Sequence, residues 1–340
     1  ASTSDVANSL LGWEKTTQYN LAVDFSLLKG RVNGTLEGYK SITNDLLLNV
    51  SLPSVSGYTS TIANIGQTSN KGIDITINAT IVEKSDFSWN INATAAWQKD
   101  KIESLMNGKE DMVDKGWFIG QSIGVIYNYE RLGVWQDTPE DQAEMAKFNS
   151  AFMPDGVTPK VKQNFSPGMT KVKDQNGDYQ ITANDDRVII GNNRPRYTVG
   201  LTNTFSYKGI ELSVFLTGRL KYDTGVGEGL TGMFGDQRVL DYWTPDNTTA
   251  EYQKPIMNEA GGDTYSGTYY KDNSYIKIRN ISLGYIVPKQ VLNWVKINSL
   301  KVYAQIQDAG MLWSKIKWRD AEYGTIYYNR GVVLGINVGF

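Results

Sequence analysis

The 340 residues contain no histidine and no cysteine. Without His there is no Ser-His-Asp triad, no imidazole base and no imidazole metal ligand. Without Cys there is no thiolate nucleophile, no disulfide and no Cys-type zinc site. Net charge is nearly absent too: 34 Lys and Arg stand against 36 Asp and Glu, a formal −2. A nucleic-acid-binding surface usually shows a basic excess, so no nucleic-acid partner is expected. No run reaches the roughly 18 apolar residues that a membrane-spanning helix needs. Residues 1–12 (ASTSDVANSLLG) have no basic start and no apolar stretch, so no signal peptide is predicted. An enzyme would be left with carboxylate chemistry alone. No two acidic residues pair convincingly in the sequence, and the chain is expected not to be an enzyme.

Glycine and aromatics are plentiful, with 33 Gly, 20 Tyr, 9 Trp and 10 Phe. The strongest signal is strict alternation, the period of a β-strand with one apolar face. Ile73, Ile75, Ile77, Ala79 and Ile81 alternate with Asp74, Thr76, Asn78 and Thr80. Phe87, Trp89, Ile91, Ala93, Ala95 and Trp97 repeat the pattern, as do Leu21, Val23, Phe25 and Leu27. Residues 197–207 keep it with Asn203 as the one defect, and Val332, Leu334, Ile336, Val338 and Phe340 carry it to the last residue. In 275–285 the phase changes from Ile276 and Ile278 to Ile281, Leu283 and Tyr285, which predicts a β-bulge near Arg279 and Asn280. Aromatics near strand ends (Phe87 and Trp97, Tyr197 and Tyr207) suit a membrane–water interface, where amphipathic rings collect. They would equally fill the core of a soluble β-sandwich, and alternation does not separate the two.

Loop lengths do. The strands 18–28 and 31–41, 70–82 and 87–99, 195–207 and 210–220, and 274–287 and 297–307 are joined by short turns. Long excursions of about 42–69, 100–194, 221–273 and 308–327 separate these hairpins. Short turns at one end and long loops at the other are the pattern of an outer-membrane barrel, with the long loops extracellular. The expected fold is therefore all-β: an antiparallel transmembrane β-barrel portion of about nine strands. The stretch 117–135 is read as structured loop, not as a crossing. A count of nine cannot close a bacterial barrel, because open edges leave amides unpaired in hydrocarbon. Other strands must then complete the wall, and outer-membrane lipid must cover its apolar side. The alternative is a soluble β-sandwich carbohydrate-binding module.

Several segments resemble the SusC/RagA-like TonB-dependent outer-membrane transporters. They include 13–25 (WEKTTQYNLAVDF), Asn64 to Gly66, Asn70 to Gly72, 133–136 (GVWQ), 167–191 (PGMTKVKDQNGDYQITANDDRVIIG) and the terminal LGINVGF. The resemblance implies that residues 1–340 are the C-terminal part of a plugged barrel of about 22 strands, with the plug and N-terminal strands absent. It implies import of oligosaccharides or peptides across the outer membrane of a Gram-negative, Bacteroidota-like bacterium. It also implies a SusD-like surface lipoprotein and the TonB complex as partners, with no cofactor required.

Candidate sites follow. Residues 174–185 (DQNGDYQITAND) resemble an EF-hand-type calcium loop, with Asp174, Asn176, Asp178, Gln180 and Asp185 at ligand positions. Tyr179 stands where that loop wants Gly, and the competing reading is an Asn-Gly turn. Among the loop aromatics, Tyr58, Trp117, Trp135 and Trp243 are the candidates for stacking on substrate; packing within the loops is the competing role. Glu37, Asp74, Asn90, Lys277, Arg279 and Gln305 are expected to line a wet lumen. The resemblance casts Phe340 as a membrane-insertion signal.

Overall fold

The protein is described by a computed structural model covering residues 5–6, 8–52, 54–58, 60–106, 108–226, 240–255, 263–292, 297–324 and 329–339. The chain divides into two compact units: residues 1–124, 194–222 and 272–340, and residues 125–193 and 223–271. Phe340 lies outside the described residues.

The first unit holds a nine-stranded antiparallel sheet whose strands follow one another in chain order. They are β1 (Lys15–Leu27), β2 (Val32–Asn44), β3 (Gln67–Glu83), β4 (Phe87–Ser104), β5 (Tyr197–Tyr207), β6 (Ile210–Leu220), β7 (Tyr275–Ile286), β8 (Ser299–Ser314) and β9 (Gly331–Gly339). The short connections behave as hairpin turns. Lys208 and Gly209 both take positive φ (46° and 86°), the backbone that a two-residue type I′ turn requires.

Pairing register carries the alternation across the whole sheet. One row runs Leu27, Val32, Ala79, Ile91, Asn203, Val214, Ile281, Ile306 and Val332. A row on the opposite face runs Asp24, Thr35, Thr76, Thr94, Gly200, Thr217 and Lys277. A slip of one residue would exchange the faces, so the apolar pattern itself pins the register. Asn203, the polar defect, accepts a hydrogen bond from the Trp89 indole N–H at 3.3 Å. Trp89 in turn stacks on Phe205 with ring centroids 5.5 Å apart.

Among the described residues of the first unit, nothing covers the apolar face. Val332, Leu334 and Ile336 keep 73%, 79% and 65% of their surface exposed. A sandwich would bury such rows against a second sheet; among the described residues of the first unit no sheet does so. The aromatics pair in register near the strand ends, Phe87 with Tyr207 and Trp97 with Tyr197. Ten residues separate the two pairs along the strand. At a rise of about 3.3 Å per residue and a tilt of about 45° that is about 23 Å, close to the apolar band of about 25 Å in outer-membrane barrels.

The bulge lies where the phase change places it. Arg279 is skipped in the pairing of β7 with both β6 and β8, so Ile278 and Ile281 fall on the same face. The strands run further than the alternation shows: β4 continues to Ser104 and β8 to Ser314. Beyond the apolar band lipid no longer imposes the two-residue period, while the backbone ladder continues.

Glycines opposite aromatic rings lock several pairs. A Cβ on Gly335 would sit 2.3 Å from the Tyr303 ring, its direct partner, and one on Gly72 would sit 2.6 Å from Tyr39. Gly335→Val is expected to destabilise the sheet by about 1–3 kcal/mol through overpacking, read as a lower temperature for loss of the compact, fast-migrating form on a gel.

The second unit folds around its own core. The helix α1 (Pro139–Phe148) starts with Pro139 in its first turn and Thr138 as N-cap, whose hydroxyl accepts from the Asp141 N–H. Met145 and Phe148 face inward against Trp135, Phe165, Met169, Val172, Ile181 and Tyr265. The stretch 117–135 contributes two short strands: Val125–Tyr129 pairs with Arg187–Asn192, and Arg131–Val134 with Thr170–Val172. Neither joins the nine-stranded sheet.

Candidate functional site

Between β2 and β5 the polar face of the sheet carries a patch of neutral hydrogen-bonding groups. Asn33, Asn78, Asn92 and Thr202 lie in register on neighbouring strands β2 to β5. Asn92 Nδ2 donates to Asn78 Oδ1 at 2.6 Å and Thr80 Oγ1 to Asn90 Oδ1 at 2.9 Å. Together with Arg31 they line a recess of about 200 Å³. The Arg31 guanidinium is engaged with the Thr80 and Ile81 carbonyls at 3.1 and 2.8 Å. What remains is a wall of neutral amides and hydroxyls. Such groups can orient a polar solute and cannot transfer a proton at neutral pH. A larger groove of about 800 Å³, lined by residues such as Leu283, Val302, Leu334 and Ile336, is almost wholly apolar and offers no group to orient a polar solute.

Of the four candidate substrate-stacking aromatics, two are core. Trp135 is 1% exposed, packed edge-on to Phe148 (5.8 Å) and tilted to Phe165 (5.4 Å). The Lys171 ammonium lies 4.1 Å from its ring centroid. Trp243 is buried too, and its Nε1 donates to Gln136 Oε1 at 2.9 Å. The expectation that these rings meet substrate is corrected: each supplies a large apolar area that the second unit needs, being short of regular structure. Trp117 and Tyr58 are half-buried in the first unit. Trp117 exchanges backbone hydrogen bonds with Met112, and the Tyr58 N–H donates to Ser56 Oγ.

The 174–186 loop is built on carboxylates that accept backbone N–H groups. Asp174 accepts from Gly177 and Tyr179, both at 2.7 Å, and Asp178 from Gln180 at 2.7 Å. Asn176 Oδ1 accepts from the Asp178 N–H. Tyr179 takes positive φ (58°), the backbone the loop asks of Gly. The Gln180 side chain accepts from the Val161 N–H, and Asp185 is bonded to the Thr182 hydroxyl at 2.8 Å. The expected ligand set is thus not gathered around one point, and no group of three His, Cys, Asp or Glu among the described residues is placed to hold a metal. The geometry of Asp174, Asn176 and Asp178 is that of a turn, each side chain bonding the backbone two to five residues on.

Sequence reasoning missed Asp186. It is fully buried and accepts from Gln175 and Thr182 N–H groups at 2.8 and 2.7 Å. Burial pushes its pKa up, against the pull of those two hydrogen bonds. The doubled acid Asp185 and Asp186 was the only signal available, and nothing in it says which of the two turns inward. Across the same unit, Asp263 accepts from both the N–H and hydroxyl of Thr170, and Arg131 lies 4.3 Å over the Tyr269 ring. Glu251 takes a hydrogen bond from Tyr269 Oη at 2.5 Å and pairs with Lys271. Burial raises the Glu251 pKa, but these two partners outweigh it and hold the carboxyl below the ordinary glutamate value.

A nine-stranded antiparallel sheet with one uncovered apolar face, one polar face and aromatic pairs at the strand ends defines part of a membrane β-barrel wall. The family model described as TonB dependent receptor-like, beta-barrel matches residues 1–307, and the chain belongs to this family. It is 29% identical over 322 residues to TonB-dependent receptor P3 of Formosa agariphila, covering 90% of this chain and 30% of that protein. It is 27% identical over 331 residues to TonB-dependent receptor SusC of Bacteroides thetaiotaomicron, covering 93% of this chain and 30% of that protein. Its fold is similar to a structure described as the RagAB peptide transporter, with a TM-score of 0.71 and 22% identity over 97% of this chain and 36% of that one. The chain spans about a third of the length of these relatives.

Proposed function

We propose that this chain forms part of the wall of a TonB-dependent importer of the SusC/RagA kind in the outer membrane of a Gram-negative, Bacteroidota-type bacterium. The observation that carries the reading is the row from Leu27 to Val332, apolar at every strand except for Asn203. Left uncovered by the chain, it is stable only against acyl tails. The opposite face then borders the passage, and further strands and a plug complete the wall. Its neutral amides and hydroxyls fit solutes rich in hydroxyl or peptide groups, so the proposed cargo is an oligosaccharide or a peptide. A relative named SusC and a structure described as a peptide transporter support that range. A SusD-like lipoprotein at the outer mouth and the TonB complex on the periplasmic side are the proposed partners, and the long connections face outward.

The test is uptake of labelled oligosaccharide and peptide mixtures by cells with and without the intact protein, in the presence and absence of a protonophore. Uptake that requires both the protein and the proton-motive force supports the reading. A protein recovered in the soluble fraction without detergent, or uptake indifferent to its removal, overturns it.

A further inference from the structure

Near the start of β7, two basic residues meant for a wet wall are paired with acids, and one of them is not wet. Lys277 is fully buried. Its Nζ lies 3.0 Å from Asp320, 3.1 Å from Asp308 and 3.2 Å from Glu322. Arg279 binds Asp308 at 2.8 Å and Glu322 at 2.5 Å. Asp308 belongs to β8. Asp320 and Glu322 belong to the connection between β8 and β9, the described part of which (315–324) forms no strand.

Local structure prepares this network. The bulge displaces Arg279 from the ladder, and the facing irregularity in β8 puts Asp308 at φ 50° and Gly310 at φ 142°. Bulges re-aim side chains, and the two re-aimed here carry opposite charge. On the connection, Asp320 Oδ1 accepts from the N–H groups of Glu322 and Tyr323 at 2.9 and 3.3 Å, which fixes the turn that presents both acids. The Ala321 carbonyl accepts from Asn273 Nδ2 at 2.7 Å, and Ile316, earlier in the same segment, is buried. A buried ammonium with three carboxylates around it is stable only as a set: removing Lys277 leaves the buried Asp320 without its cation and Arg279 alone against Asp308 and Glu322.

We propose that Lys277 and Arg279 form a charge latch that fastens residues 315–324 to the polar face of β7, so that this connection is part of the wall and leaves it only when the latch is broken. If that face borders the passage, the latch also keeps the connection from crossing it. The fastening itself does not depend on transport, and its test is independent of the uptake experiment.

Lys315, Lys317 and Arg319 place trypsin sites within the fastened segment. The intact protein, extracted and folded in detergent, is digested briefly and cleavage at these three bonds is followed by mass spectrometry. The wild type is expected to resist, with little change at about 0.5 M NaCl, because salt screens exposed pairs and reaches a buried one far less. Lys277→Met is expected to raise cleavage about tenfold, since proteolysis tracks the population of the open form. Lys277→Arg should remain near the wild type. Glu211→Gln, which weakens the half-buried pair with Lys301 elsewhere on the sheet, should change nothing. Retention of the compact gel form shows that each variant is folded. Wild-type cleavage in folded Lys277→Met, or equal loosening in Lys277→Arg, overturns the latch. If Lys277→Met does not fold, Glu322→Gln, which keeps two carboxylates on Lys277, is read instead: faster cleavage supports the latch and an unchanged rate overturns it.

Discussion

Replacing Ile306 with arginine is expected to abolish most assembly of the barrel, while the same change one residue earlier, Gln305→Arg, leaves it near normal. The two side chains are adjacent on β8 and point to opposite faces. Ile306 pairs with Ile281 and Val332 in the apolar row, and Gln305 with Ser282 and Val333 on the other side. Ile306 lies in the apolar row, and a lipid-facing arginine costs up to about 2–4 kcal/mol, most near the bilayer midplane. A cost of that size is a large fraction of the stability of an ordinary folded protein. The measurement is the amount of compact, heat-modifiable protein in outer membranes at equal expression. Equal assembly of the two variants would mean that the apolar rows do not meet lipid, and the membrane reading would fall with it.

Trp135→Ala is expected to unfold the second unit while the sheet survives. Trp135 touches the two other rings at the centre of that core, Phe148 and Phe165, and carries the Lys171 ammonium over its face. Truncating a buried tryptophan typically costs about 3–5 kcal/mol. Little regular structure is present to absorb the loss: one ten-residue helix and short paired strands. Near-UV circular dichroism should lose its aromatic signal and residues 125–193 should become protease-sensitive, with the compact gel form retained. Leu132→Ala, on the short strand that leads into Trp135 but 54% exposed, should behave as the wild type. A Trp135→Ala protein that stays folded but loses a bound solute would instead return Trp135 to the role of a stacking platform.

These two sites differ in how far they could be read in advance. Ile306 belongs to a strand whose apolar residues recur every second position, and that period follows from backbone geometry alone. The bulge at Arg279 was visible for the same reason: an inserted residue shifts the phase, and the shift from Ile278 to Ile281 is in the letters. Trp135 sits in no such pattern. Its burial depends on α1 and on Phe165, Met169 and Tyr265 converging from both long connections. The second unit is joined by contacts such as Thr170 with Asp263 and Gln136 with Trp243, far apart in the chain. An aromatic in a long loop looks the same whether it greets a ligand or fills a core. Asp186 shows the same blindness at the scale of one residue, since Asp185 beside it is exposed.

Lys277 marks the boundary most clearly. The alternation correctly assigns it to the polar face, across from Thr217. Whether that face is wet at Lys277 is decided by Asp320 and Glu322, 43 and 45 residues further on. The sequence by itself determined the strands, their two faces, the register and the exclusion of His and Cys chemistry, because each follows from local backbone period or from composition. Only the tertiary structure decided which polar groups are solvated and which are paired, because the burial of a charge depends on what returns to cover it, and no local rule encodes that return.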